Sequence, residues 1–183
     1  MHRPAERTDA QVVRDVLEGD RDAYRLLVRR YGDLLYAHAL RMVGDADDAA
    51  DLVQEAFVTG YMKLHTCRDR DRVGAWLFRI LANRCKDFLR SRRRSWVPFD
   101  HAVAVPATGD GPEEAAARAE VGNRLRRALD RLTPEQREAF VLKHVDGRPY
   151  EEIAAVMDLL VAALKMRVHR ARDALQGLLE EYR

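Results

Sequence analysis

The sequence predicts an all-α protein made of two small helical domains joined by a flexible linker, with a helix-turn-helix in the second domain. Apolar residues recur at helical spacing through most of the chain. Helix-capping motifs are frequent, and the alternation typical of strands is missing. A segment rich in proline and glycine, residues 95–112, interrupts the helical pattern. We therefore expect domains over residues 1–94 and 113–183.

Four helices are predicted in the first domain, and their ends carry local signals. Thr8 and Gln11 have the spacing of a capping box. Gly44 is placed to end the second helix, and Asp45 is placed to cap the third. The polar stretch over residues 65–71 is predicted to be a loop. The predicted helices cover residues 8–19, 20–43, 45–64 and 72–94.

The second domain carries the same kind of helix-boundary signals. Thr133, Pro134 and Gln136 supply an N-cap, a first-position proline and a capping glutamine. Pro149 likewise suits the first position of the next helix. The predicted helices cover residues 113–131, 133–146, 149–157 and the residues from 161 onward.

The composition is that of a soluble chain, with 47% hydrophobic residues, 34% charged residues and a net charge of +2. No apolar run approaches the roughly 18 residues that a membrane span needs, and the N-terminus lacks a signal-peptide core. Two cysteines are too few for a disulfide framework, so we expect a cytoplasmic protein. The charge is unevenly distributed: residues 45–55 are acidic, whereas residues 84–94 and 161–172 are basic.

A helix over residues 161–178 would carry an apolar stripe on one face and basic residues on the other. The stripe is expected to dock on the domain. The basic face indicates DNA binding, since surface helices without a partner usually mix charges; a solvated basic face is the alternative. With the short helix before it, this segment predicts a helix-turn-helix whose second helix enters the major groove. The stripe consists of Val161, Leu164, Val168, Ala171, Leu175 and Leu178. The predicted base-facing residues are Lys165, Met166, His169 and Arg170, and the predicted phosphate contacts are Arg167 and Arg172.

Four stretches carry a family resemblance that covers nearly the whole chain. They are DADDAADLVQEAF (45–57), WLFRILANRCKDFLRSRRR (76–94), LDRLTPEQREAFVLKHVDGRPYEEIAAVM (129–157) and VHRARDAL (168–175). In this order and on both sides of a linker, they resemble the group IV, or extracytoplasmic-function (ECF), sigma factors of the sigma-70 family. The resemblance implies an alternative sigma factor: a non-enzymatic subunit that binds core RNA polymerase and recognises the −10 and −35 promoter elements.

The resemblance also implies a docking segment. In similar proteins the DLVQE segment binds the clamp helices of the polymerase beta-prime subunit, so core polymerase, including its beta subunit, is an expected partner. An acidic and partly apolar helix face suits a basic partner. The alternative is a solvated helix N-terminus, which the helix dipole makes favourable for acids in any case. The residues concerned are Asp51, Leu52, Gln54, Glu55 and Phe57.

In this family the following loop and helix capture and melt the −10 element. An extruded base loses stacking energy and needs a pocket in return. Asn83 matches the position of a polar residue near that base. The pocket wall would comprise Lys63, His65, Thr66, Cys67 and Arg68, and the phosphates would be held by Lys86, Arg90, Arg92, Arg93 and Arg94.

Members of the family are often held inactive by an anti-sigma protein, which is frequently membrane-bound and covers both DNA-binding domains. The resemblance therefore implies promoter DNA and an anti-sigma factor as partners. A membrane-bound anti-sigma factor would hold this cytoplasmic chain at the membrane. In the family, the linker threads toward the RNA exit path. No cofactor, small-molecule substrate or direct membrane insertion is expected.

Other functions remain open from the residues alone. A stand-alone helix-turn-helix regulator that binds an operator would explain only residues 129–175. A metal-dependent nuclease would need its acidic side chains to converge on a metal, which their spacing does not favour. That acidic set is Asp45, Asp47, Asp48, Asp51 and Glu55.

Two further features have simpler explanations than a functional site. His65, Cys67 and Cys85 lack the spacing of metal ligands, so no metal site is predicted. Trp76 is expected to anchor the first core, although aromatic side chains also stack on unpaired bases.

The turn before the predicted recognition helix departs from the family pattern. Many relatives have Gly-x-Ser there, followed by Val-Gly, whereas residues 158–162 here read Asp-Leu-Leu-Val-Ala. Leu160 cannot cap the helix as a serine does. Either Asp158 caps the helix by starting it earlier, or Leu159 and Leu160 are buried against the first domain or a partner.

Overall fold

The structure is a computed structural model that describes residues 7–94 and 127–180, except for the side chains of Arg94 and residues 178–180. Its regular elements within these ranges are helical, which confirms the predicted all-α class. The predicted linker and residues 113–126 of the predicted fifth helix lie outside the described residues. The α-helices are α1 (Asp9–Leu17), α2 (Tyr24–Val43), α3 (Ala46–Lys63), α4 (Val73–Arg94), α5 (Pro134–Phe140), α6 (Tyr150–Met157) and α7 (Val161–Glu180), and residues 127–131 are also helical.

Three of the predicted helix starts, at Thr8, Asp45 and Thr133, are confirmed by their capping hydrogen bonds. The Thr8 hydroxyl accepts from the Gln11 amide, and the Gln11 side chain accepts from the Thr8 amide at 2.8 Å. Thr133 and Gln136 form the same reciprocal pair at the start of α5. Asp45 accepts from the two backbone amides that follow Ala46. Each cap satisfies helix amides that have no partner inside the helix.

Other boundaries differ from the sequence prediction. The predicted loop over residues 65–71 contains parts of two 3₁₀ turns, Leu64–Thr66 and Arg70–Arg72. A third 3₁₀ turn, Arg21–Ala23, precedes α2. After α5 the chain widens into a π-helical turn over Val141–Val145. Capping residues mark where a helix begins, but they carry no information about turns that are tighter or wider than an α-helix.

Two expectations about individual helix ends are wrong. Pro149 precedes the first residue of α6 instead of occupying it, because its ψ of 150° is extended. Asp158 does not cap α7. It ends α6 in the left-handed conformation, with φ of 56° and its amide bonded to the Ala154 carbonyl. A short polar side chain tolerates this conformation better than most, so Asp158 takes the place that glycine often has.

One buried apolar cluster runs through both halves of the molecule. Leu27 on α2 and Leu77 on α4 are fully buried, as are Leu142 and Ile153 of the second half. Trp76 is half-buried and packs against this cluster, as predicted. A smaller cluster attaches α7 to the residues before α5. The two helical domains therefore pack against each other, and side chains at their contact surface are partly occupied by that contact.

Candidate nucleic-acid interface

The helix-turn-helix consists of α6 and α7, and the apolar stripe of α7 faces the protein as predicted. The stripe fixes the rotation of α7, so the opposite face of the helix points to solvent. Met166 lies on that opposite face and is 55% exposed. The buried members of the stripe are Leu164, Val168, Ala171 and Leu175; Val161 is half-buried, and Leu178 lies outside the described side chains.

Two of the four residues predicted to face bases are engaged within the protein. His169 Nδ1 lies 2.6 Å from Oδ2 of Asp173, which the sequence prediction did not consider. The Lys165 ammonium lies 5.6 Å from the centre of the Tyr150 ring on α6, within cation–π range. Met166 and Arg170 are exposed on the outer face. Arg172 is exposed at the edge of the buried stripe, four residues after Val168, while Arg167 is half-buried.

The turn between α6 and α7 is held by hydrogen bonds and by one contact with α4. The Leu159 amide bonds to the Ala154 carbonyl at 2.9 Å. Arg79 of α4 donates to the Asp158 carboxylate at 3.1 Å. Leu160 is 80% exposed, so it is not buried against the first domain. Its carbonyl accepts from the Leu164 amide at 3.0 Å, which makes Leu160 the residue from which α7 begins.

Lys86, predicted to hold a phosphate, instead pairs with the second half of the chain. Its ammonium lies 2.9 Å from Oε2 of Glu138, whose side chain is fully buried. Burial raises the pKa of Glu138, although the neighbouring Lys86 charge opposes that change. The pair is therefore a buried contact between α4 and α5.

Two more of the predicted phosphate contacts are held in the same way. Arg90 Nη2 lies 2.5 Å from Oε1 of Glu135. Burial alone would raise the pKa of Glu135, but its backbone hydrogen bond and Arg90 outweigh burial and lower it. Arg93 donates to the carbonyls of Asp130 and Arg131 at 3.3 and 3.0 Å. The basic face of α4 is thus partly covered by the second half.

The remaining −10 candidates on α4 have different surroundings. Asn83 is exposed, and Arg92 is half-buried near Asp48. Burial and the neighbouring Asp45 carboxylate raise the pKa of Asp48, whereas the Arg92 charge lowers it. The side chain of Arg94 lies outside the described part.

The loop predicted to form the −10 pocket borders a cavity of about 820 Å³ between the two halves. Thr66, Cys67 and Arg68 line it, together with Trp76 and Arg148. Lys63, the last residue of α3, and His65, in the 3₁₀ turn that follows, are both exposed. The Cys67 side chain is only 5% exposed and its thiol donates to the Asp69 carbonyl at 3.4 Å, so Cys67 supports the loop from inside.

The docking segment on α3 divides into a buried and an exposed side. Leu52 and Phe57 are buried in the core, so these two candidates have no free apolar surface for polymerase. Asp51, Gln54 and Glu55 are exposed, and Glu55 lies 3.4 Å from Arg84 of α4. Two exposed apolar residues on the same side of α3 were not among the docking residues predicted from the sequence.

Those missed residues are Val58, which is 54% exposed, and Met62, which is 70% exposed. Their spacing from Glu55 is three and seven residues, which places all three on one helix face. This helical spacing in the sequence could have identified Val58 and Met62 as part of the exposed face. The exposed face of α3 therefore combines acids with a contiguous apolar end.

A buried polar contact joins α2 to the turn before α6. His38 is 1% exposed, and its Nδ1 donates to the Asp146 carboxylate at 3.2 Å. Arg41 donates to the other carboxylate oxygen at 2.7 Å. Burial alone would raise the pKa of Asp146, but the His38 hydrogen bond and the Arg41 and Arg148 charges outweigh it and lower that pKa. Arg137, also buried, bonds to the Arg41 carbonyl.

Residues 7–94 and 127–180 lack the features of a metal site and of a membrane-spanning helix. No group of His, Cys, Asp and Glu side chains there is arranged to hold a metal ion. None of the helices in this part of the chain combines the length and apolar character that a bilayer-spanning segment needs.

Each half of the chain matches a known protein family. The family described as "Sigma-70 region 2" matches residues 27–95, and the family described as "Sigma-70, region 4" matches residues 122–175. The first match covers the part of the chain that a stand-alone helix-turn-helix regulator would leave unexplained.

Whole proteins are similar over most of their length. The chain is 30% identical to the ECF RNA polymerase sigma factor SigW of Bacillus subtilis, covering 92% of this chain and 95% of that protein. It is 33% identical to the ECF RNA polymerase sigma-E factor of Escherichia coli K12, covering 93% of each. A solved structure of the sigma factor RpoE with the anti-sigma factor NepR, from Bartonella quintana, matches with a TM-score of 0.63 and 28% identity over 87% of this chain and 98% of RpoE. With two sigma-70 regions in order and full-length similarity to these proteins, the chain belongs to the ECF sigma factors, the alternative sigma factors of bacterial RNA polymerase.

Proposed function

We propose that this sigma factor divides promoter recognition between its two halves, residues 1–94 and 113–183. In this proposal the outer face of α7 binds the −35 element, and the loop after α3 together with Asn83 and the basic face of α4 binds the −10 element. The α3 face formed by Asp51, Gln54, Glu55, Val58 and Met62 docks on core polymerase. The chain itself makes no phosphodiester bond, since the polymerase active site does that.

One observation carries the DNA-binding part of the proposal. The buried stripe of α7 fixes how the helix is rotated, and it leaves Arg170 on the outer face and Arg172 exposed at the edge of the stripe. A helix with a fixed, exposed face that is flanked by cations, preceded by a short helix, has the geometry that enters a major groove. Phosphates on both sides of the groove would then neutralise the charges that repel one another in the free protein.

An anti-sigma factor is proposed as a second protein partner. The related sigma factor RpoE was solved with the anti-sigma factor NepR. A regulator of this kind, bound to the face of α3 and to the second half, would keep the chain from core polymerase. If that regulator is membrane-bound, it holds this otherwise cytoplasmic chain at the membrane.

The test is reconstituted transcription with purified chain and sigma-free core polymerase on a library of genomic fragments. Specific starts that need both components are expected, and alignment of those starts gives the two promoter elements. Asn83→Ala is expected to weaken dependence on the −10 element, and Arg170→Ala dependence on the −35 element, each about tenfold or more.

Arg25→Ala is the matched control. Arg25 is an exposed arginine of α2 that pairs with Asp22 at 3.4 Å, and it belongs to none of the proposed surfaces. Its removal is expected to leave start-site choice unchanged. Absence of any promoter-dependent start, together with tight binding of the chain alone to a duplex site, would contradict the proposal and favour an operator-binding regulator.

A further inference from the structure

The tip of α7 that leads into the proposed DNA contact is apolar, although the helix as a whole is basic. Leu160 is 80% exposed and Met166 is 55% exposed. Ala162 and Ala163, between them in sequence, are also exposed. The cations of the helix begin only at Lys165. These four apolar residues, Leu160, Ala162, Ala163 and Met166, are called the apolar tip below.

Folding of the isolated chain does not explain the apolar tip. Leu160 precedes the first residue of α7, where serine, threonine, aspartate or asparagine would accept a hydrogen bond from the helix amides. Leucine forgoes that bond, and its side chain gains nothing from burial. A position that breaks a local rule without a compensating contact inside the protein is expected to serve a contact outside it.

The neighbouring charged residues indicate which polymer makes that contact. Arg170 and Arg172 are exposed further along the same helix. Lys165 leans toward Tyr150 on α6, and His169 pairs with Asp173. In a major-groove complex these cations would lie beside the tip and behind it, near the phosphates that line the groove, and the tip would face the groove floor.

The major-groove floor offers one apolar group, the C5 methyl of thymine. Apolar side chains recognise a base there by burying this methyl, and they have no hydrogen bond to offer to the other base edges. Methionine suits the task, because its unbranched thioether adapts to an irregular apolar surface. We propose that Met166, supported by Leu160 and Ala162, reads thymine in the −35 element through its C5 methyl group. This inference rests on the proposed function of α7.

The test replaces thymine by uracil, which removes only the methyl group. Promoters obtained from the transcription assay are rebuilt with deoxyuridine at each thymine of the −35 element in turn, and open-complex formation is measured with the complete chain and core polymerase. At one or two positions the wild-type protein is expected to lose about fourfold in promoter affinity, the effect of leaving one methyl-sized group unburied.

Variants of Met166 then link the methyl to the side chain. Met166→Ala is expected to abolish the difference between thymine and uracil at one of those positions. Met166→Leu, which keeps the apolar volume, is expected to preserve it. Both substitutions replace an exposed side chain, so the fold should be retained. Circular dichroism and thermal melting check this. Deoxyuridine at thymines outside both promoter elements serves as the DNA control.

The outcomes separate this inference from the function on which it rests. Promoter-dependent transcription with no uracil effect at any −35 thymine would overturn the methyl readout and leave the sigma function standing. A uracil effect that persists unchanged in Met166→Ala would also overturn it. Weaker binding of Met166→Ala to core polymerase without DNA would instead show that the apolar tip contacts the polymerase. No promoter-dependent transcription would contradict the proposed function, and the inference with it.

Discussion

Asp146 shows how one carboxylate can join distant parts of this chain. It accepts hydrogen bonds from His38 and Arg41, which lie more than a hundred residues earlier. The His38 ring also packs 4.5 Å from the centre of the Phe78 ring, and the Arg148 guanidinium lies over that same ring. A buried carboxylate with two cationic or polar donors is stabilised in its charged form.

Asp146→Asn is expected to lower the free energy of unfolding by about 1.5–3 kcal/mol at neutral pH, the cost of a lost hydrogen bond to a charged group. Because the pKa of Asp146 is lowered in the folded protein, its contribution is complete above the ordinary aspartate range and is lost as pH falls through the folded pKa. The stability gap between wild type and variant should therefore narrow below about pH 4. Urea unfolding over a pH series measures it.

Asp33→Asn is the control, since Asp33 is an exposed aspartate of α2. It is expected to cost much less than Asp146→Asn at neutral pH. If the difference in unfolding free energy between wild type and Asp146→Asn widened toward acid pH, the pKa of Asp146 would not be lowered in the folded protein.

Single residues also mark where sequence reasoning succeeds and fails. The caps at Thr8, Asp45 and Thr133 were predictable, because a cap is a contact between residues three apart or fewer. The role of Asp158 was not, because an aspartate suits both the start of one helix and the left-handed end of another. The pairing of His38 with Asp146 leaves no mark in local spacing, since it depends on how the halves pack.

At the scale of helices, periodicity gave the buried face of α7 correctly, whereas the family motif misjudged which side of α3 is exposed. The family motif drew attention to Leu52 and Phe57, yet these residues form the core side of α3. Short motifs mix inward and outward positions, whereas a contact with a partner needs the outward ones. The outward face of α3 continues past the motif to Val58 and Met62, which only helical spacing identifies.

The exposed apolar end of α3 should therefore contribute to polymerase binding. The double variant Val58→Ala/Met62→Ala is expected to bind core polymerase about tenfold more weakly, because apolar anchors at an interface centre cost more than about 1 kcal/mol when truncated. Its thermal stability should change little, since both side chains are exposed. Fluorescence titration of labelled chain with core polymerase measures the affinity.

Val28→Ala/Leu34→Ala is the matched control, because both residues are exposed apolar side chains of α2. We expect its affinity to stay within about twofold of wild type. Equal losses in the two double variants would show that α3 has no special part in docking.

At the scale of the whole molecule, the contact between the halves adds several charged pairs to the shared apolar cluster. Lys86 pairs with Glu138, Arg90 with Glu135, and Arg79 with Asp158. Glu138 has lost all contact with water, and burial raises its pKa. Burying charges is costly even when they are paired, so this contact gains less stability than an apolar one of the same extent would. Such a contact is suited to opening, and opening would expose the basic face of α4.

Removing the two glutamates should shift the chain toward that open arrangement. In Glu135→Gln/Glu138→Gln, Lys86 and Arg90 lose their ionic partners in the second half, while Arg90 keeps Asp87 of α4 at 2.8 Å. The contact between the halves is weakened because both ion pairs across it are broken. We expect the free chain to have a larger radius of gyration in X-ray scattering. It should also bind the non-template strand of a cognate −10 element about tenfold more tightly, as the freed cations reach phosphates.

Adding two units of net positive charge would by itself strengthen DNA binding, so the control must match that change. Glu18→Gln/Asp33→Asn alters net charge equally at two exposed carboxylates, one directly after α1 and one on α2. We expect it to gain much less affinity and to keep the wild-type radius of gyration. If both double variants bind the strand equally well at the same radius, the contact between the halves does not mask α4. If only the Glu135 and Glu138 variant expands and gains affinity, the packing of the two halves itself limits access of the −10 strand to Lys86 and Arg90.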